Sequence, residues 1–202
     1  MRSQTLFREL TAAGILLASY PLNWASERAG LCGNGRGTPV ILAHGLGGNR
    51  ANLLGLAAYV RMAGFCNLYF FEYPRVQSVA NSAEHLAALV DKVDTGSGVH
   101  LIGHSLGGTI ARRFSAEAAQ DTTVLSLITL ASPYRYDQRS PHELAIFGAE
   151  DPIVPPPLSP RLRLGAVRRT IILARTGHLG VLYHADSLRT IESELLSSSA
   201  AS

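Results

Sequence analysis

Short apolar, β-branched runs alternate along the chain with longer stretches in which apolar positions return every three or four residues, and this pattern begins at Pro39. The runs PVILA from Pro39, LYFFEY from Leu68, VHLIG from Val99, LSLITLA from Leu125, ELAIF from Glu143 and TIILA from Thr170 are bounded by glycine, proline or polar residues. They predict six strands. Most are apolar at nearly every position, as strands covered on both faces are, so the fold class expected is α/β with a mainly parallel sheet. Between the second and third runs, Val79, Ala83, Leu86, Val90 and Val93 fall on one helical stripe, with Glu84, Asp91 and Lys92 opposite. The same reasoning predicts helices over about 50 to 62, 106 to 119 and 182 to 196. Tyr134 to His142 and the proline-laden PIVPPPLSPRL leave little room for regular helix, and no insertion is long enough for a cap domain. The closing SSSAAS is expected to fray.

Upstream of Pro39 the pattern weakens, and residues 1–38 read as an N-terminal extension ahead of a catalytic domain at 39–202. Arg2 and Arg8 precede a mildly apolar run from Leu10 to Leu22, with Glu9 and Pro21 at its ends. The run is shorter than the ~20 residues a spanning helix needs. It fits a signal-peptide core, an anchor giving weak membrane association through residues 10–22, or a helix docked through Leu6, Leu10, Ala13, Leu17 and Tyr20. These alternatives leave the compartment open.

At 202 residues and 47% hydrophobic, the chain can build one stable core. The net charge of +3 comes from arginine, since Lys92 is the lone lysine. Pairs such as Arg112 with Arg113 and Arg168 with Arg169 are expected on solvated faces. No basic stripe interleaved with aromatics is present, so a nucleic-acid partner is not expected. Cys32 and Cys66 form no C-x-x-C pair, and Cys66, just before an apolar run, is expected to be buried as a small hydrophobe.

Two glycine motifs carry the chemistry. Gly103-His104-Ser105-Leu106-Gly107 follows a predicted strand and opens a predicted helix, the setting that lifts a serine hydroxyl out of a sharp turn. His44-Gly45-Leu46-Gly47-Gly48 ends the first strand, where the N–H of Leu46 can join that of Leu106 in stabilising an oxyanion. A serine nucleophile also needs a base and a carboxylate to orient it. His178, in Thr176-Gly177-His178-Leu179-Gly180 after the last strand, is the expected base, with His184 as rival. Asp151, after the fifth strand and held by Pro152, is the expected acid, with Glu150 beside it. His44 and His104 read as shaping residues, and His85 and His100 as structural. Tyr134, Ile153 and Leu179 are expected to line the substrate site with Leu46 and Leu106, which favours an apolar acyl group. No metal or organic cofactor is required.

From Pro39 to Leu196 these motifs resemble the α/β-hydrolase family, and within it the bacterial lipases and esterases, with ITLASP at 128 to 133 as a further likeness. The resemblance implies Ser105, Asp151 and His178 as nucleophile, acid and base, Leu46 and Leu106 as oxyanion donors, and a small-molecule or lipid ester as substrate. The missing cap argues against activation by a lid. A thioesterase or acyltransferase with the same triad, or a non-catalytic binding protein of this fold, are the alternatives.

Overall fold

The computed structural model describes residues 3–19, 33, 36–74, 76–118, 124–134, 143–157 and 169–200. Six strands form one parallel sheet: β1 (Val40–Ala43), β2 (Leu68–Phe71), β3 (Val99–His104), β4 (Val124–Leu130), β5 (Glu143–Gly148) and β6 (Arg169–Leu173), in the order β2-β1-β3-β4-β5-β6. Helix α1 spans Ser3–Ser19; α2 (Leu54–Met62) follows a 3-10 turn at Arg50–Leu53; α3 is Val79–Val93 and α4 Leu106–Glu117. Helix α5 (Ala185–Ser199) follows a 3-10 turn at Gly180–Leu182. No cap domain is evident among the described residues; positions 135–142 and 158–168 lie outside them.

Side-chain alternation along the central strands builds two cores. Val40, Leu42, Ile102 and Ile146 face α2 and α5, meeting Leu56, Val60, Ile191 and Leu195. Ile41, Ala43, Leu101 and Leu127 face the other way, onto Leu86 and Val90 of α3 and Ile110 and Phe114 of α4. Every central strand is therefore buried on both sides, which is why its sequence is apolar throughout. In register, Ala43 lies opposite Gly103, and Gly103 opposite Thr129. The loops after β1 and β3 thus leave neighbouring strands at one level, where the strand order reverses and α/β sheets form their crevices.

Four expectations need correction. Helix α1 does not dock through Leu6, Leu10 and Leu17, which are 47%, 63% and 75% exposed; it turns Thr5, Glu9 and Ala12 inward. Its seat offers backbone N–H groups, and a carboxylate satisfies these where an apolar side chain cannot. Tyr20 lies outside the described residues, and no described helix is long and apolar enough to cross a membrane. Arg112 is not on a solvated face but fully buried: Nε and Nη2 donate to the Glu143 carboxylate at 2.8 and 2.7 Å, and Nη1 donates to the Pro133 carbonyl at 2.8 Å. Helix α5 runs on to Ser199, because serine hydroxyls bond back along it and His100 Nε2 lies 3.0 Å from Ser199 Oγ. Cys66 is a free, half-buried thiol rather than a core residue; Cys32 and Arg168 lie outside the described residues.

Candidate active site

Ser105 sits at the turn between β3 and α4 with φ 51° and ψ −119°, a conformation strained for any residue with a Cβ. The turn is held by Ser105 N–H donating to the Leu130 carbonyl at 2.8 Å. Its glycines have no room for side chains. A Cβ at Gly103 would lie 2.4 Å from Gly108 Cα, and one at Gly107 would lie 2.4 Å from the His44 carbonyl oxygen. The close approach brings the loop after β1 against the start of α4. Leu106 is the first residue of α4, so its N–H has no acceptor within the helix.

The loop after β1 is a tight turn in which Gly48 N–H donates to the Gly45 carbonyl at 3.0 Å and Gly47 takes φ 73°. Glu72, just past β2, anchors it: one carboxylate oxygen meets His44 Nε2 at 3.1 Å and the other accepts from Arg50 N–H at 2.9 Å. Burial pushes the Glu72 carboxyl up, but these bonds outweigh it and hold the group below its usual range. Tyr73 Oη donates to the His44 carbonyl at 2.7 Å, and its ring stacks on His44 at 4.6 Å. Sequence reading missed Glu72 as an anchor. The only signal was a carboxylate at the carboxyl end of a buried strand.

Asp151 is 4% exposed at the end of β5. Its Oδ1 accepts from the N–H groups of Ile153 and Val154 at 2.8 and 2.9 Å, and its Oδ2 accepts from His178 Nδ1 at 2.8 Å. With Nδ1–H so engaged, the opposite ring nitrogen Nε2 carries the lone pair of a base. His104 supports the same loop: its Nε2–H donates to the His178 carbonyl at 3.1 Å, and the two rings lie 4.9 Å apart. Burial, and then the nearby His178, push the His104 imidazole down to about 4.

Ser105, His178, Leu46, Ile153 and Leu179 border one cavity of about 550 Å³. No hydrogen bond joins Ser105 to His178, although both open into this space. Such contacts commonly tighten when substrate binds. Tyr134, expected in the lining, does not border the cavity. Its ring packs 5.7 Å from Phe147 with the Arg112 guanidinium 4.2 Å from its centre, because the buried cation draws the aromatic face away. The rival His184 borders a second cavity, of about 350 Å³, and caps α5 by accepting from Asp186 N–H at 3.1 Å. Glu150 is bound by its N–H to the Thr176 carbonyl at 3.0 Å.

Sheet order, helices on both faces and the strained serine turn at the reversal of strand order define an α/β-hydrolase. More narrowly, the family model of palmitoyl protein thioesterase matches residues 39–142, just over half the chain, and the chain belongs to that family. Solved structures agree on the fold. The monoacylglycerol lipase of Paleococcus ferrophilus is similar with a TM-score of 0.66 and 17% identity, over 83% of this chain and 96% of that one. An α/β hydrolase, MGS-MChE2, from the metagenome of Mar Chica lagoon sediments gives 0.65 and 20%, over 82% and 92%. A membrane phospholipase A, described as a bacterial virulence factor, gives 0.62 and 15%, over 96% of each chain. No curated protein matches the chain in sequence. The protein thus combines an α/β-hydrolase fold with membership of the palmitoyl protein thioesterase family.

Proposed function

We propose that the protein is a serine acyl hydrolase that cleaves esters of apolar acyl groups through a covalent acyl-enzyme. The observation that carries this reading is the Asp151 to His178 hydrogen bond beside a strained serine on one cavity. His178 Nε2 takes the Ser105 proton as Oγ attacks the acyl carbonyl, and the N–H groups of Leu46 and Leu106 receive the oxyanion. Collapse breaks the bond to the leaving group, which takes the proton back from His178. Water then loses a proton to Nε2 as it attacks the acyl-enzyme, releasing the carboxylic acid and free serine. Ile153 and Leu179 supply apolar lining, and Leu17 continues it onto α1, where Phe7 and Leu10 are exposed. That continuity favours an acyl chain over a charged substrate.

A thioester is the second reading, carried by the family match over residues 39–142. The two share every step up to the acyl-enzyme and differ in the leaving atom. A fluorophosphonate probe tests the common part: labelling at Ser105 that disappears in Ser105→Ala is expected, and an unlabelled wild type overturns the reading. Comparing kcat/KM for an oxygen ester and a thioester of the same acyl chain, from acetyl to palmitoyl, separates the two and reports preferred length.

A further inference from the structure

The loop carrying His178 is held from a distant part of the chain. Glu9, on α1, brings its carboxylate into this loop: Oε1 accepts from the N–H of Gly177 at 3.2 Å and of Gly180 at 2.7 Å, and Oε2 accepts from Leu179 N–H at 2.9 Å. The three donors flank the imidazole on both sides. A Cβ at Gly177 would lie 2.5 Å from Glu9 Cδ, and one at Gly180 would lie 2.6 Å from Glu9 Oε1. Both glycines of TGHLG are therefore needed to admit the carboxylate. Arg8 adds a bond from Nη1 to the Arg175 carbonyl at 3.2 Å, and Arg175 Nη1 donates to Gln4 Oε1 at 3.1 Å.

The opposite side of the loop is also pinned. His104 holds the His178 carbonyl, and Glu150 N–H holds that of Thr176. Removing the Glu9 carboxylate leaves the N–H of buried Gly177 without its partner and frees one side of the loop. The imidazole would then keep Asp151 but lose a constraint on where it sits beside Ser105.

We propose that Glu9 is a positioning residue for the His178 base, so that the N-terminal helix is a working part of the active site. This rests on the hydrolase reading given above. It assigns Glu9 no contact with substrate.

The test compares full-length wild type with Glu9→Ala and Glu9→Gln by three measurements: kcat and KM for p-nitrophenyl butyrate, the rate of fluorophosphonate labelling, and the downfield proton resonance of His178 Nδ1–H, assigned through His178→Ala. Loss of positioning of this kind costs up to about 100-fold. Glu9→Ala is expected to lower kcat and labelling by about 10- to 100-fold with KM within about two-fold, and to broaden the resonance. Glu9→Gln keeps one oxygen that can accept from Gly177 and Gly180 but sets its NH₂ against the Leu179 N–H, and should recover only part of that loss. It also serves if the alanine variant does not fold. Full turnover and an unaltered resonance in a folded variant, with only a lower melting temperature, overturn the proposal. Should the wild type resist the probe, the hydrolase reading fails by itself, and the resonance still decides whether Glu9 holds the imidazole.

Discussion

Replacing Asp151 by asparagine changes one atom, and the structure says which way the new amide must face. Oδ1 already accepts two backbone N–H groups, from Ile153 and Val154. An amide NH₂ in that position would set donor against donors, so the amide oxygen takes the Oδ1 place and the NH₂ replaces Oδ2. It then points at His178 Nδ1, 2.8 Å away in the wild type. A donor there demands a lone pair on Nδ1, which puts the ring proton on Nε2, where the base must be empty. The expected loss in kcat is about 10⁴-fold, as for other hydrolases with the wrong tautomer, or about 5.4 kcal/mol at 1.36 kcal/mol per tenfold. Because both Oδ1 bonds survive, the melting temperature should change little. Steady-state kinetics on p-nitrophenyl esters, with burst titration of active sites, measure the effect. A loss below about tenfold in a folded protein would refute the tautomer argument and return Glu150 to consideration.

Two further predictions concern stability. Arg112→Ala strands the Glu143 carboxylate in the core with Thr129 Oγ1, 2.5 Å away, as its remaining side-chain donor among the described residues. The expected cost is about 3 to 5 kcal/mol, whereas Arg112→Met with Glu143→Leu should recover most of it; urea unfolding reads both, and equal losses in the single and double variants would count against a coupled pair. Acid should also weaken the fold, because burial pushes both His100 and His104 from 6.5 down to about 4. The unfolded chain binds more protons in that window, so stability is full above pH 6.5 and falls as the pH drops toward 4, by up to about 3 kcal/mol per histidine. Thermal melts from pH 7.5 to 4.5 should show the decline, His100→Gln should reduce it by about half because His104 remains, and a constant melting temperature would contradict it.

Much of this architecture was legible because it depends on local pattern. The six runs match the six strands to within two residues at either end, and the helix expected over Val79 to Val93 has those bounds. That Ser105 and His178 would meet at one edge of the sheet was legible because each follows a predicted strand at its carboxyl end, in a glycine-flanked loop. Asp151 was legible only through its place after β5; the N–H groups that seat it are conformational facts. What escaped was long-range. Glu9 and its donors are 168 to 171 residues apart, so helical periodicity along α1 favoured the leucines. Arg112 looked like surface because its partner, Glu143, is equally polar and lies in another apolar run. Tyr134 stood at the right strand end but was claimed by that buried cation.

The link between the first helix and the last loop also orders events during synthesis. A chain made from its N-terminus holds Glu9 in readiness while all six strands emerge, since Gly177 follows β6. Contacts spanning so much sequence form late and slowly. On the proposed mechanism, a ribosome-bound chain short of residue 178 would carry the serine turn without its base, so turnover would begin only once the last loop had joined the first helix.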